Sequence, residues 1–261
     1  MLIYSHPSFF ATLAATALIA AAFSGGAATA QEQEADVEQL IARIDQLYRS
    51  QTSYSTIEML IVTPNWQRRL RLKMWTEGMD KTFIHLTHPP KDAGITTLQM
   101  DTEMWNYFPK INKVMKVPPS MMMSSWMGSD FTNDDLVKES TLMDDYVARL
   151  VPGVPEQSGL YLIELVPKEQ TPTVWSRVTI EIRRRDLMPL RQFYYDEKGR
   201  KMRRLEFGDI KVLGGRKIPA LMELVPLNKE GHRTVIRYLE AHFGGELDRD
   251  IFTLRNLRKK R

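Results

Sequence analysis

Histidines and carboxylates are the side chains in this sequence whose spacing could support metal binding or catalysis. His85 and His88 are separated by an odd interval, which puts them on opposite faces of a strand. Asp130, Asp134 and Asp135 lie where a helix is predicted to begin, and acidic side chains stabilise a helix N-terminus. The chain has no cysteine, which excludes thiolate metal sites and a cysteine nucleophile. We therefore expect no metal, no cofactor and no catalysis.

A methionine-rich segment within residues 118–145 is the second group with a distinct chemical character. Its large apolar side chains are Met121, Met122, Met123, Trp126, Met127 and Phe131. Methionine is flexible and polarizable, so clusters of it suit apolar surfaces that accept varied ligands. Thr132 and Asp135 have the spacing of a helix N-terminal cap. Two interpretations remain: the segment fills a curved sheet as a plug, or it covers a ligand site as a movable lid.

The first thirty residues predict a cleaved signal peptide. Residues 1–30 contain no Lys, Arg, Asp or Glu, and an apolar run extends from Ala11 to Phe23. This run is shorter than the roughly 20 residues that a membrane-spanning helix needs. Ala28-Thr29-Ala30 has the small residues of a cleavage site, so we expect the mature chain to begin near Gln31. An exported chain without cysteine is typical of the periplasm, where nucleic acid is not an expected partner.

The hydrophobic pattern of the remaining chain predicts one helix and then a long series of strands. Apolar residues at three- and four-residue spacing predict an amphipathic helix over residues 35–49. In residues 70–74, cationic residues alternate with Leu70, Leu72 and Met74, which is typical of a strand with one solvated face. Turn signals recur along the chain. We expect a mainly β (α+β) fold, a large curved antiparallel sheet of about 10–11 strands covered by the N-terminal helix and a short helical lid.

Composition supports a single globular domain over residues 31–261. The 261-residue chain is 43% hydrophobic and 26% charged, which argues against disorder and polytopic membrane proteins. Its formal net charge of +4 is modest. Arg and Lys concentrate in residues 177–204. Two interpretations remain for this stretch. It forms a cationic face that binds anionic headgroups or an acidic partner, or it is an ordinary solvated surface.

Three motifs resemble those of a known family. Residues 126–136, WMGSDFTNDDL, resemble the (F/W)MGSDF(T/S)xxDL signature of LolA-like outer-membrane lipoprotein-sorting proteins. Residues 103–109, EMWNYFP, match the family's D/E-x-W-x-Y-x-P strand, and residues 251–255, IFTLR, match its terminal F-T-x-R. Asn133 stands where the family often has an aromatic residue. The resemblance covers roughly residues 55–257, most of the predicted mature chain.

The resemblance implies an incomplete antiparallel β-barrel around helices, with an apolar concavity suited to acyl chains. The expected ligand-contacting residues are the apolar side chains of the methionine-rich segment, together with Leu70, Leu72, Met74, Trp105 and Tyr107. Family members carry lipids, serve transporters of the resistance-nodulation-division type or sense envelope stress. A shared fold therefore does not fix the function.

Two hypotheses from different functional classes follow. In the first, the protein is a periplasmic carrier or chaperone that shields the acyl chains of a lipid or lipoprotein between membranes. In the second, it is an accessory or sensor protein that docks on an inner-membrane transport complex, with its cavity permanently plugged. The expected partners are acyl chains in the first case and an inner-membrane transporter in the second.

Overall fold

A 13-stranded antiparallel sheet dominates the structure, a computed structural model that describes residues 36–138, 142–171 and 173–259. The strands are β1 (Thr52–Val62), β2 (Gln67–Glu77), β3 (Lys81–His88), β4 (Thr96–Met100), β5 (Glu103–Phe108), β6 (Lys113–Lys116), β7 (Tyr146–Leu150), β8 (Leu160–Pro167), β9 (Arg177–Arg183), β10 (Pro189–Tyr195), β11 (Lys201–Leu213), β12 (Arg216–Pro226) and β13 (Arg233–Phe243). The helices are α1 (Val37–Asp45), α2 (Asn133–Lys138), α3 (Leu142–Asp145) and α4 (Leu254–Leu257). The predicted signal peptide lies outside the described residues.

The predicted fold class is confirmed, with 13 strands instead of about 10–11. The first strand, β1, is hard to recognise because polar Ser53 and Ser55 occupy buried positions on its apolar side. The helix predicted over residues 35–49 is shorter, since α1 ends at Asp45. It begins after Asp36, whose carboxylate accepts a hydrogen bond from the Glu38 backbone nitrogen at 3.0 Å. No helix among the described residues is long and apolar enough to span a membrane.

The sheet consists of two meanders joined at its centre. Strands β1 to β6 follow one another outward on one side, strands β13 to β7 do so on the other, and β1 pairs with β13. The two edges of this open sheet are therefore β6 and β7. Because these strands are consecutive in the chain, the segment that joins them must cross from one edge of the sheet to the other. This connection contains the methionine-rich segment.

Apolar side chains are buried on both faces of the sheet. On the inner face, Leu70, Leu72 and Trp126 belong to one large buried cluster, and α1 covers a second cluster around Ile163 and Ile180. The outer face has its own cluster, whose buried members are Phe83, Leu98, Ile251, Phe252 and Leu257. The inner face is thus covered by α1 and the crossing segment, whereas the C-terminal residues cover part of the outer face.

Gly214, in the tight turn between β11 and β12, has no room for a side chain. Its φ is +55°, and a Cβ atom would lie 2.5 Å from the Ala241 carbonyl oxygen. We expect Gly214→Ala to lower the free energy of unfolding by about 1–3 kcal/mol more than Gly215→Ala. Gly215 is the matched control because its φ is +78° but nothing lies within 4 Å of its Cβ position. Urea denaturation of both variants measures the difference, and equal losses would contradict the expected clash.

Candidate functional site

Residues 117–136, here called the plug, cover the inner face of the sheet. The plug folds back on itself at Trp126, whose backbone nitrogen donates to the Phe131 carbonyl oxygen at 2.8 Å. Trp126 is 1% exposed, and its indole nitrogen donates to Thr97 Oγ1 of β4 at 3.3 Å. Phe131 is also buried. The plug therefore inserts two large aromatic side chains into the core of the sheet.

Polar contacts tie the turn of the plug to two central strands. Arg68 Nη1 of β2 donates to the Met127 carbonyl oxygen at 3.2 Å. The Asp130 backbone nitrogen donates to Thr234 Oγ1 of β13 at 3.0 Å, and that hydroxyl donates to Asp130 Oδ2 at 2.8 Å. Asp130 therefore connects the plug to the sheet, which the sequence does not reveal.

A buried ion pair, here called the latch, joins the end of the plug to β11. Arg203 Nη1 and Nη2 donate to the two oxygens of Asp135 at 2.8 and 2.5 Å. The guanidinium carbon lies 3.9 Å from the centre of the Tyr194 ring and 4.6 Å from that of Trp175. Asp135 also makes the reciprocal bonds with Thr132 that the predicted helix cap requires. The latch thus fixes the start of α2 against the sheet.

The electrostatics of the latch favour ionised Asp135. Burial acts to raise the pKa of this carboxyl, but the charge and hydrogen bonds of Arg203, together with the bonds from Thr132, have the larger combined effect. They hold the pKa of Asp135 below its usual value of 3.8. Both members of the pair are therefore charged at neutral pH.

An apolar cavity of about 130 Å³ lies between α1, the plug and the inner face of the sheet. Trp126 and Phe131 contribute to it from the plug, and Ile44 and Tyr48 from α1 and the residues that follow. Its walls also include Ile57, Met59, Leu72, Met74, Ile84, Phe207, Met222, Ile236 and Tyr238. Polar groups also reach the cavity wall, where Arg49 Nη2 donates to Thr82 Oγ1 at 3.0 Å. The cavity has the composition of a site for an aliphatic group, with few polar atoms.

The structure brings together only some of the residues that the sequence predicts to contact a ligand. Leu72, Met74, Trp126 and Phe131 line the cavity. Three further residues pack in the same apolar cluster without lining it, namely Leu70, Met122 and Met127. Two are exposed on the plug surface, namely Met121 and Met123.

Trp105 and Tyr107 lie on the outer face, away from the cavity. Both pack against the cluster that includes the C-terminal Phe252, whereas their neighbour Met104 is buried in the inner cluster. Alternation correctly predicts that Trp105 and Tyr107 share a face. It does not tell which face is covered by the plug.

Tyr48 and Tyr238 are cavity residues that sequence reasoning misses. Their rings stack at 4.8 Å, and the Tyr48 hydroxyl donates to the Pro219 carbonyl oxygen at 2.8 Å. The apolar alternation of β13 marks Tyr238 as a candidate for burial, but no local signal pairs it with Tyr48. In the described part of the chain, no group of three or more His, Cys, Asp or Glu residues could hold a metal ion.

Comparisons with known proteins agree with this architecture. A family model described as uncharacterized-protein-like matches residues 78–259. A DUF1329 family protein from Desulfovibrio piger is 26% identical, with 84% of this chain and 97% of that chain covered and a TM-score of 0.72. No curated protein matches.

Two further solved structures share the fold at lower sequence identity. A putative outer membrane lipoprotein-sorting protein domain from Vibrio parahaemolyticus is 19% identical, with coverage of 85% and 98% and a TM-score of 0.72. A LolA superfamily protein from Nitrosomonas europaea is 15% identical, with coverage of 84% and 98% and a TM-score of 0.70. The LolA-like fold that the motifs predict is the fold the chain shares with these structures, and the chain belongs to the family whose model matches residues 78–259.

Proposed function

We propose that this protein is a periplasmic carrier that shields an acyl chain of a lipid or lipoprotein on the inner face of its sheet. The observation that carries the proposal is the apolar cavity enclosed by α1 and the plug. The LolA-like fold supports a carrier, since two of the solved structures that share it are described as a lipoprotein-sorting domain and a LolA superfamily protein. In this proposal the protein binds its ligand reversibly and does not convert it chemically.

Movement of the plug is part of the proposed mechanism. The cavity of about 130 Å³ is smaller than the roughly 300 Å³ at which ordinary ligand sites begin. A long acyl chain therefore needs space that Trp126 and Phe131 occupy. Each methylene group that leaves water contributes about 0.8 kcal/mol, so an acyl chain can replace the apolar contacts that the displaced plug loses.

A charge placed in the cavity should abolish ligand uptake. We expect Leu72→Glu to eliminate binding of a fluorescent fatty-acyl probe, because a carboxylate would face an apolar chain without a partner. Lys73→Glu is the matched control, since Lys73 is the next residue along β2, points to the other face and is exposed. Met74 is only partly buried at the cavity, so Met74→Glu gives a milder variant with the same expected direction. Unchanged binding by both cavity variants would contradict the proposed site.

A permanently plugged accessory or sensor protein is the second candidate function. The burial of Trp126 and Phe131, which are 1% and 4% exposed, favours it because these two side chains already occupy the apolar interior of the sheet. In that case the apolar cluster is only a structural core. The protein would then act through its surface on an inner-membrane complex.

Fluorescence of Trp126 distinguishes a movable plug from a permanent one. If the plug moves, a lipid analogue should change the tryptophan emission of the protein, and Trp126→Phe should remove most of that change. Trp105→Phe is the control, since Trp105 lies on the outer face of the sheet, away from the cavity. A response that Trp126→Phe leaves unaltered would place the ligand elsewhere.

A further inference from the structure

Four chain segments form a continuous rim at one end of the sheet. They are the connections 63–66, 89–95, 109–112 and 227–232, which join β1 to β2, β3 to β4, β5 to β6 and β12 to β13. Antiparallel pairing places all four at the same end, since Thr234 at the start of β13 pairs with Ile61 at the end of β1.

Contacts between neighbouring connections hold the rim together. A Cβ atom on Gly231 would lie 3.1 Å from Pro64, and one on Gly94 would lie 3.4 Å from Pro109. Arg68, just after the first connection, pairs with Asp92 of the second at 2.8 Å. The same Arg68 holds the turn of the plug, so the rim lies directly beside the plug.

Three of these connections present a large apolar side chain to solvent. Trp66 is 45% exposed, Ile111 is 64% exposed and Leu227 is 43% exposed. They come from three separate loops. Tryptophan is enriched at the boundary between water and lipid, where its ring is buried and its N–H stays hydrated.

The rim is also basic. Lys91, Lys110, Lys113 and Lys229 lie on or next to these loops, and all are exposed. The acids on the same loops are Asp92, which pairs with Arg68, and Glu230.

The opposite end of the same half of the sheet carries the opposite charge. Its segments 78–80, 101–102 and 244–250 contain Asp80, Asp101, Glu246, Asp248 and Asp250 against Arg249. This part of the molecule therefore has a cationic end with apolar tips and an anionic end, which would orient it in the field of a charged surface.

We propose that the rim docks on the surface of a lipid bilayer that contains anionic lipids. Trp66, Ile111 and Leu227 enter the headgroup region, and the lysines face lipid phosphates. Lysine is depleted in protein–protein interfaces, whereas clustered basic residues are attracted to anionic membranes. Separate apolar tips among lysines therefore favour a membrane over a protein partner. Docking in this orientation places the turn of the plug next to the bilayer.

Vesicle co-sedimentation of the full exported chain tests the proposal. The protein should bind vesicles that contain phosphatidylglycerol, bind phosphatidylcholine vesicles weakly and dissociate as salt is raised. The double variant Trp66→Asp/Ile111→Asp should bind roughly tenfold more weakly or worse. Val212→Asp is the matched control, since Val212 is 69% exposed and lies at the end of β11 that points away from the rim. Because all three positions are exposed, neither variant should disturb the fold.

A charge-reversal variant tests the electrostatic part separately. Lys110→Glu/Lys229→Glu should remove the preference for phosphatidylglycerol and leave the weak binding to neutral vesicles unchanged. Equal binding of phosphatidylglycerol vesicles by the parent and by Trp66→Asp/Ile111→Asp would overturn the proposal. A parent that binds no vesicles would also overturn it, and a protein partner would then be the better occupant of the rim.

The two proposals for this protein fail independently. Leu72→Glu should lose uptake of the monomeric fatty-acyl probe but still bind vesicles. The rim variants should bind the probe as the parent does. Loss of both activities in a rim variant would mean that the vesicle signal came from the cavity and would contradict rim docking.

Discussion

Replacing Asp135 with asparagine should lower the free energy of unfolding by about 3 kcal/mol, because it removes the carboxylate charge that is paired with the buried Arg203 cation. Only 8% of the Arg203 side chain and 11% of the Asp135 side chain are exposed, so water cannot take over the role of the missing carboxylate. Asparagine keeps the size of the side chain. The loss therefore reports the charge of the latch, and urea denaturation at neutral pH measures it.

Two further variants separate the latch from a general charge effect. Asp209→Asn is the surface control, since Asp209 pairs with Arg237 at 2.8 Å in solvent and should lose at most about 1 kcal/mol. Asp135→Leu combined with Arg203→Met should recover much of the stability, because apolar residues of similar size often replace a buried ion pair without loss. If the double variant loses as much stability as the two single variants together, Asp135 and Arg203 do not act as a coupled pair.

The effect of Asp135→Asn should depend on pH. The pKa of Asp135 is lowered in the folded protein, so its stabilising contribution is complete above the ordinary aspartate pKa of 3.8 and disappears as pH falls through the lower folded value. The difference in free energy of unfolding between the parent and Asp135→Asn should therefore disappear at strongly acidic pH. The same denaturation series in acid checks this, and a constant gap would show that ionisation of Asp135 is not its source.

Trp126→Ala should cost about 3–5 kcal/mol of stability and at the same time enlarge the cavity. The Trp126 ring is fully buried against the inner face and hydrogen-bonded to Thr97, so its removal leaves an unfilled space that continues into the existing cavity. If the plug competes with an acyl chain for that space, the variant should take up the fatty-acyl probe faster than the parent does. Thermal denaturation and stopped-flow fluorescence measure the two effects.

Trp66→Ala provides the comparison for the stability effect. Trp66 is exposed on a hairpin, so its replacement should change stability by at most about 0.5 kcal/mol. A large loss from Trp66→Ala, or a small one from Trp126→Ala, would contradict the assignment of Trp126 as the main anchor of the plug.

Periodicity predicts most of the sheet but not which face is the inner one. The alternation in residues 70–74 correctly separates Leu70 and Leu72 from their cationic neighbours. The same rule pairs Trp105 with Tyr107 without assigning their face. That assignment depends on the C-terminal segment around Phe252, which follows Trp105 by 147 residues in the chain. Long-range packing of this kind leaves no local signal.

The latch shows why charge patterns are read incompletely from sequence. Arg203 belongs to the basic stretch 177–204, yet it is buried and paired with Asp135 from the plug. Other arginines of the stretch are also paired, as Arg177 is with Glu164 and Arg191 with Glu181. Cross-strand and long-range partners neutralise much of an apparently cationic face.

Native mass spectrometry of the protein, purified without detergent, tests the carrier hypothesis most directly. We expect a bound molecule that is released by organic solvent and identified as carrying an acyl chain. Leu72→Glu purified in parallel should lack this molecule, whereas Lys73→Glu should retain it. A parent protein that contains no lipid, and takes none up when a fatty-acyl probe is added, would contradict the account and identify the plug as permanent.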